Sequence, residues 1–213
     1  MERTRTILML LLLCAGAAAA QGSTVIIGAD AYYAVPVGTL GDRFRPAAGF
    51  SVSAGQQADD DWTWLGRLDR VEFTELNTEK LTKSVVRQNV GSKTIYTFPL
   101  QKLSMDLTAT GLSAVGKYNL IRTSFLESDL QIGFGFTHWS FRRGAYRDSL
   151  VADSAGTKLT VGLLNVPANE QTDWSGTVQA GFNADIRLAE PVWLHAGAQY
   201  TLIIGELWQA LAL

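Results

Sequence analysis

The sequence is poor in the residues that build metal sites and disulfides. It contains one cysteine, Cys14, and two histidines, His138 and His195, among 213 residues. A single cysteine forms no intramolecular disulfide, and the two histidines fall on different predicted strands with opposite parity, which disfavours a shared zinc site. No glycine-rich loop follows a strand and opens a helix, as a phosphate-binding loop would. We therefore expect no metal and no cofactor.

Long hydrophobic runs are missing after residue 20. The first twenty residues begin with the basic Arg3 and Arg5, continue with an apolar run at 7–13 and end with a tract of small residues at 15–20. This order predicts a secretory signal peptide over residues 1–20, cleaved after Ala20. An anchoring helix is the alternative, but the stretch 7–20 is shorter than the roughly 17–25 residues that span a bilayer. A lipoprotein signal is disfavoured because Leu13, rather than a small residue, precedes Cys14.

Charge is also scarce. Without Glu2, Arg3 and Arg5 the chain has 16 Lys and Arg against 19 Asp and Glu, a net charge of −3. No basic stripe indicates nucleic acid, so we expect no nucleic-acid partner. The balance of 47% hydrophobic and 18% charged residues, with 20 glycines, suits a barrel whose outer face meets lipid. Such a barrel crosses a membrane without hydrophobic helices because closure pairs every backbone group.

From Trp174 to Leu188 apolar and polar residues alternate strictly. A period of two predicts a strand with one apolar and one polar face. Strands of soluble sheets usually run about 5–6 residues, whereas roughly 9–11 cross a bilayer, so this strand is typical of a transmembrane barrel. The predicted strands are 24–35, 49–55, 62–76 (with a poorer pattern from Arg70 on), 103–120, 130–141, 174–188 and 192–204.

The fourth predicted strand changes its apolar parity after Gly111. Either Gly111 lies at a bulge, or residues 109–111 are a turn between two strands. The bulge is favoured because it keeps long and short connections in strict alternation, as outer-membrane barrels do. One barrel domain is therefore expected over residues 21–213, with long external loops near 36–48, 77–102 and 142–173, the last with a hairpin around 158–164.

The signal peptide, the strand plan and the segment 28–55, GADAYYAVPVGTLGDRFRPAAGFSVSAG, resemble the small bacterial outer-membrane barrels of the OmpA type. The fold class predicted is all-β: an antiparallel up-and-down transmembrane barrel on an eight-strand plan, with seven strands evident. The closing strand is expected to be irregular or lost by truncation. The alternative is a soluble sandwich.

The resemblance implies an outer-membrane location and a role as an envelope scaffold, an adhesin-like surface or a narrow, porin-like pore. The partners expected are the lipid bilayer, outer-membrane lipids and the barrel-assembly machinery, and the oligomeric state stays open.

Parity assigns polar side chains to the lumen and aromatic ones to the membrane interfaces. The predicted lumen residues are Asp30, Arg67, Asp69, Asp106, Lys117, Gln131, Gln179, Asn183, Asp185, Arg187, His195 and Gln199. The predicted interface aromatics are Tyr33, Phe50, Trp174 and Tyr200 at the outer rim and Trp62, Trp64 and Tyr118 at the inner rim. An eight-strand lumen is just wide enough for side chains to fill. A polar plug with a structural or surface role is predicted, and a narrow pore is the alternative.

His138 and Ser140 resemble the His-x-Ser pair of small outer-membrane lipid A deacylases. The asparagine that follows the serine in those enzymes is replaced by Phe141, and no acidic partner can be assigned. Polar girdle residues explain the pair more simply. No enzyme activity is expected, and lipid modification is kept as a weaker alternative.

Overall fold

A computed structural model describes residues 24–89, 92–100, 102–154, 156–190 and 192–211. The predicted signal peptide lies outside these residues. The strands are β1 Val25–Ala34, β2 Ala47–Gln57, β3 Trp62–Phe73, β4 Thr82–Asn89, β5 Ser92–Pro99, β6 Met105–Arg122, β7 Leu126–Arg143, β8 Tyr146–Ser154, β9 Thr157–Val166, β10 Asn169–Ala189 and β11 Val192–Ile204. The short helices are α1 Gly38–Arg43 and α2 Leu207–Ala210. Among the described residues no helix has the length and apolar character needed to span a membrane.

Seven strands form one antiparallel sheet in the order β1-β2-β3-β6-β7-β10-β11. Each strand pairs with the next one of this order, so the sheet has up-and-down topology. Long connections lie at one end of the sheet and short turns at the other. The predicted all-β class, the seven strands and the alternating connections are confirmed. Within the described residues no pairing joins β1 to β11, and no eighth strand follows β11.

The sheet is strongly curled. Arg67 on β3 and Gln199 on β11 stand four strand spacings apart, about 19 Å in a flat sheet. Yet Arg67 Nη1 donates to Gln199 Oε1 at 2.7 Å. The two edges of the sheet therefore bend toward each other, and the face that carries Arg67 is the inside of an incomplete barrel.

The strands β6, β7 and β10 are much longer than a membrane crossing requires. They contain 18, 18 and 21 residues, whereas about 9–11 tilted residues cross a bilayer. Their upper ends, next to the long connections, enclose an apolar cluster. This cluster (the cap) contains Leu40, Phe44, Phe73, Leu81, Leu100, Leu103, Met105, Leu107, Trp139, Phe141, Tyr146, Leu164, Val166, Leu207, Ala210 and Leu211.

Two of the long connections are hairpins rather than irregular loops. The expected loop 77–102 contains the two-stranded sheet β4–β5, and the expected loop 142–173 contains β8–β9, a longer hairpin than the one expected near 158–164. The segment after β11, expected to begin a fourth external loop and an irregular or truncated closing strand, turns into α2. Leu207, Ala210 and Leu211 follow helical spacing and are buried in the cap.

Gly111 does not lie at a bulge. β6 pairs with β3 and β7 without a register shift there, and its one irregularity falls between Asn119 and Ile121. β3 likewise pairs regularly from Arg70 to Phe73, so its poorer alternation in that stretch does not come from a bulge. The apolar parity changes because the inward face itself changes from polar to apolar at this height, where the cap begins.

Candidate functional site: the lumen, the cap and the outer face

The lumen is lined by the side chains on the polar face of the seven strands. The predicted residues that lie on the inward face are Asp30, Arg67, Asp69, Lys117, Gln131, Gln179, Asn183, Asp185, Arg187, His195 and Gln199. Asp106 does not join them. It lies between the inward-facing Met105 and Leu107 on the outward parity of β6, opposite Arg142. The lumen assignment of Asp106 was wrong because it depended on the bulge at Gly111.

The upper part of the lumen is bridged by one hydrogen-bonded group. Arg67 Nε donates to Asp69 Oδ1 at 2.8 Å, and the same guanidinium reaches Gln199. Gln199 also accepts a bond from Gln131 Nε2 at 2.9 Å and donates to Gln179 Oε1 at 3.2 Å. Side chains from β3, β7, β10 and β11 therefore meet across the inside of the sheet. Asp30 lies beside this group and accepts a bond from Ser51 at 3.1 Å.

The lower part of the lumen holds two further polar pairs, one of them an ion pair. Lys117 Nζ is 3.6 Å from Asp129 Oδ2, and Asn183 Nδ2 donates to Asp129 Oδ1 at 2.6 Å. Asp185 Oδ1 is 2.6 Å from His195 Nδ1. Because an isolated charge is costly to bury, these pairings are what allows a polar interior to fold. Asp129 was not predicted, because it precedes the expected start of the strand at residue 130. Its side chain lies on the same inward face as that of Gln131.

At the lower end of the inward face, Arg187 contacts residues of the short turn and of β11 and does not join the hydrogen-bonded groups of the lumen. Arg187 pairs with Glu190 in the short turn and lies over the ring of Trp193, with its guanidinium carbon 5.7 Å from the centroid.

Among the described residues three buried side-chain oxygens have no hydrogen-bond partner: Asp69 Oδ2, Ser113 Oγ and Ser128 Oγ. Nowhere in the described ranges do three or more His, Cys, Asp or Glu side chains cluster in a way that could hold a metal ion.

The cap closes the upper end of this interior. Trp139 and Phe141 point inward from β7 and are fully buried, and Leu207 of α2 and Leu211, which follows α2, belong to the same cluster. Trp139 joins the two regions, because its ring lies in the cap while its Nε1 donates to Ser175 Oγ at 2.9 Å. An apolar cluster packed over the polar lumen excludes water from that end.

Polar contacts tie the connections to the cap. Arg43 Nε donates to the carbonyl of Leu211 at 3.2 Å, so α1 is joined to the end of α2. Burial lowers the pKa of the Arg43 guanidinium from its ordinary value. Tyr146, at the base of β8, donates to Asp148 Oδ2 at 2.8 Å, and burial raises the pKa of its hydroxyl. Each contact supplies a partner to a polar group that the cap desolvates.

The outward face is apolar in the middle and polar above. Paired residues form rows across β3, β6, β7 and β10: Leu68–Leu112–Phe136–Gly176, then Arg70–Thr110–His138–Trp174, then Glu72–Thr108–Ser140–Thr172. Above these rows, Asp106, Arg142 and Glu170 form a charged row. From the first row to the charged row, the outer surface thus changes from apolar side chains to a row with Trp174, then to polar and finally to charged side chains. Barrels show this order at a membrane interface.

Six of the seven predicted interface aromatics lie on the outward face near one end of the sheet. Trp62 stacks on Trp64 with ring centroids 5.8 Å apart and contacts Tyr118 at 5.2 Å, which gives an inner aromatic cluster. Phe50 pairs with Arg70, in the row of Trp174, and Tyr33 lies close by on β1. Tyr200 is different. It pairs with Ala180, six residues along β10 from Trp174, so it lies in the middle of the apolar zone and not at the outer rim.

His138 and Ser140 face outward but do not contact each other as a catalytic pair would. The His138 ring packs edge-on against Trp174, with centroids 5.0 Å apart. Ser140 Oγ accepts a hydrogen bond from Thr172 Oγ1 at 3.2 Å. In the described part of the chain no hydrogen bond joins His138 to Ser140 or to a carboxylate. The arrangement is that of polar side chains just above an apolar surface.

Comparison with known proteins adds one similar structure. No protein-family model matches the sequence, and no curated protein sequence is similar to it. Among solved structures, the chain is similar to the crystal structure of Ail, the attachment invasion locus protein of Yersinia pestis. The sequence identity is 12%, the match covers 85% of this chain and 87% of that chain, and the TM-score is 0.39.

Proposed function

We propose that this protein is a bacterial outer-membrane β-barrel protein with a structural or surface-interaction role and a polar lumen filled by side chains. One observation carries the proposal: the sheet is apolar on its convex side and polar inside. The outward side chains of Ile27, Ile132 and Phe134 are 77%, 69% and 66% exposed. A continuous apolar belt of this kind is unfavourable in water, and it matches the hydrocarbon core of a bilayer.

The same belt supports the proposed location and partners. Lipid would contact the aliphatic rows, and the aromatic and charged rows would lie at the outer headgroups. The predicted signal peptide would export the chain, and the barrel-assembly machinery would insert it into the outer membrane. The long connections and the cap would then lie outside the cell, above the membrane.

The cap and the filled lumen favour a scaffold or surface protein over a pore. A pore needs a continuous aqueous path, whereas the cap places fully buried Trp139 and Phe141 over the upper end. We expect the purified chain in a planar bilayer to give no discrete channel events. Regular single-channel steps that persist at low protein concentration would support the pore alternative.

We also propose that the protein is not an enzyme. Lipid modification would need Ser140 activated by His138, and the contacts of both side chains with Thr172 and Trp174 argue against it. A mass shift of lipid A on expression, abolished by Ser140→Ala, would contradict this proposal.

The barrel itself is tested by gel migration after folding in detergent. A folded transmembrane barrel resists dodecyl sulfate until it is boiled, because its backbone hydrogen bonds are paired within the sheet. We expect boiled and unboiled samples to migrate differently and the unboiled form to resist protease. Identical migration, together with solubility in the absence of detergent, would favour the soluble sandwich.

A further inference from the structure

We propose that the gap between the free edges of β1 and β11, termed the slot, is a docking site for one β-strand of another polypeptide chain. That strand would run toward the short turns, with apolar side chains facing the lipid and an arginine or lysine facing the lumen. The inference rests on the proposed transmembrane barrel. It is carried by two unpaired strand edges, by the width that the curl of the sheet leaves, and by a lumen carboxylate without a basic partner.

The slot is bordered by strands that are paired on one side only. β1 pairs with β2 and β11 pairs with β10, and in the described ranges neither has a partner on its other side. β11 contains 13 residues, and nearly all of them are exposed, whichever face they lie on. The hydrocarbon core of a bilayer holds no water that could bind the free N–H and C=O groups of such an edge. Both edges therefore need a strand as a partner.

The curl of the sheet leaves room for one strand. β3 is the third and β11 the seventh strand of the sheet, so they stand opposite each other in a ring of eight places. Arg67 of β3 and Gln199 of β11 meet across the lumen at 2.7 Å. Such contact is expected for an eight-stranded barrel, whose interior is just filled by side chains. Seven strands occupy seven of the eight places, so the slot is one strand wide.

The topology sets the direction of the docked strand. Every pairing in the sheet is antiparallel, so the first and seventh strands, β1 and β11, both run toward the long connections. A strand that runs toward the short turns is antiparallel to both edges at once. Direct closure of β1 on β11 would instead need a parallel pair, which is slightly less stable per residue, and a tighter curl.

A second copy of this chain does not fit the slot. Copies inserted into one membrane share one orientation, so the free edges of a second copy also run toward the long connections and offer only parallel pairing. The hairpins β4–β5 and β8–β9 belong to the connections, and their strands pair with each other. After β11 the described chain turns into α2 in the cap. The strand that fits is therefore one from a different chain.

The outer side of the slot calls for apolar side chains. The edge strands expose large apolar residues toward the lipid, at Ile27, Tyr33, Leu194, Tyr200 and Leu202. A strand docked between them continues this belt when every second residue is apolar, and its other residues then face the lumen. About ten residues are enough, because that length crosses a bilayer when the strand is tilted.

The inner side of the slot calls for a cation. Asp30 lies half-buried on the inward face of β1 and accepts a hydrogen bond from Ser51 Oγ at 3.1 Å. The other lumen carboxylates have basic partners, in the pairs Arg67–Asp69, Lys117–Asp129 and His195–Asp185. Across the described ranges no Lys, Arg or His nitrogen lies within 4.0 Å of the Asp30 carboxylate. Since β1 borders the slot, an inward arginine or lysine of the docked strand can supply that partner.

The test uses the full chain folded in detergent and a synthetic peptide as the probe. The peptide has about twelve residues, alternates leucine with threonine, and carries one arginine among the threonines. We expect it to bind, measured by fluorescence anisotropy, and to slow hydrogen exchange of the β1 and β11 amides about tenfold or more, with no change in the central β6. A peptide N-methylated at every residue offers no N–H donors and is expected not to bind.

The inward cation is tested at Asp30. Asp30→Asn is expected to weaken binding of the arginine peptide about tenfold, because a charge-assisted hydrogen bond is lost. Binding of a peptide with glutamine in place of the arginine should change by less than about twofold in the same variant. The matched control Asp106→Asn removes the same charge from the outward face of β6 and should change binding of either peptide by less than about twofold.

Four outcomes would overturn the proposal. Slow exchange of the β1 and β11 amides in the chain alone would mean that the ring closes without a partner. Binding of the N-methylated peptide would indicate adsorption to the apolar belt. Equal effects of Asp30→Asn and Asp106→Asn would remove the inward cation. In protein taken from its own outer membrane, an intact mass above that of residues 21–213 by the mass of a strand would mean that the strand belongs to the same chain.

Failure of the slot and failure of the barrel are distinguished by gel migration. Heat-modifiable migration and protease resistance are measured for the chain and for every variant. A chain that shows both but binds no peptide contradicts the slot and leaves the barrel standing. A chain that shows neither contradicts the barrel, and the slot with it.

Discussion

The lumen and the cap occupy the same inward faces of the same strands, but different forces stabilise them. Below Thr137 the interior is held by charge pairs and hydrogen bonds such as Arg67–Asp69 and Asn183–Asp129. Above it, Trp139 and its neighbours are excluded from water, at about 25 cal/mol per Å² of apolar surface. The lumen therefore depends on each polar partner being present, whereas the cap depends on its volume being filled.

The largest effect is expected from emptying the cap. Trp139→Ala removes the largest fully buried side chain and its hydrogen bond to Ser175. The variant should lose about 3–5 kcal/mol of unfolding free energy, measured by urea unfolding in lipid vesicles. Trp174→Ala is the matched control, because Trp174 is 62% exposed on the outer face. Equal losses in the two variants would mean that no packed cap exists.

A smaller loss is expected from breaking a pair in the lumen. Asp129→Ala leaves Lys117 without its carboxylate and Asn183 without its acceptor. The expected cost is about 2–3 kcal/mol, less than for a fully buried pair because the Lys117 side chain remains 19% exposed.

The control for Asp129→Ala is Glu170→Ala, which breaks the pair with Arg142 on the outer surface. Both side chains of that pair are more than half exposed, so the expected change is below about 0.5 kcal/mol. If Asp129→Ala costs no more than Glu170→Ala, the lumen is hydrated and its charges need no protein partner.

The smallest effect is expected at Asp106. It faces outward in the charged row above the belt, so Asp106→Ala should change the unfolding free energy by less than about 0.5 kcal/mol. A bulge at Gly111 would instead bury the carboxylate in the lumen, where its removal would shift stability by several times that amount. The unfolding free energy of Asp106→Ala therefore distinguishes the regular register of β6 from a register with a bulge at Gly111.

Local pattern was enough for the strands and for most of the lumen. Trp174–Leu188 alternates so strictly that its faces could be assigned before any partner was known, and β10 contains the whole segment. The same reasoning placed Gln131, Gln179 and Gln199 on one inward surface, although it could not show that Gln199 joins the other two. That contact depends on the curl of the sheet, which no single strand specifies.

The errors arose where the burial of a face depends on distant residues. The upper end of β6 is apolar on the inside because Leu81, Leu100 and Leu207, far apart in sequence, cover it. In the sequence of β6 alone, a change of the inward face from polar to apolar gives the same pattern as a bulge. Asp106 was misplaced for this reason. The connection from 77 to 102 was expected in its place, but its hairpin was missed because it depends on an anchor at the cap.

The sequence by itself determined the strands, their two faces and the alternation of long and short connections, because period-two patterning follows from strand geometry alone. Only the tertiary structure decided that the interior divides into a hydrogen-bonded lumen and an apolar cap, that α2 returns over the upper end, and that the β4–β5 hairpin is anchored in the cap. These features are contacts between segments far apart in the chain, and their stability comes from surfaces that meet only after the sheet has curled.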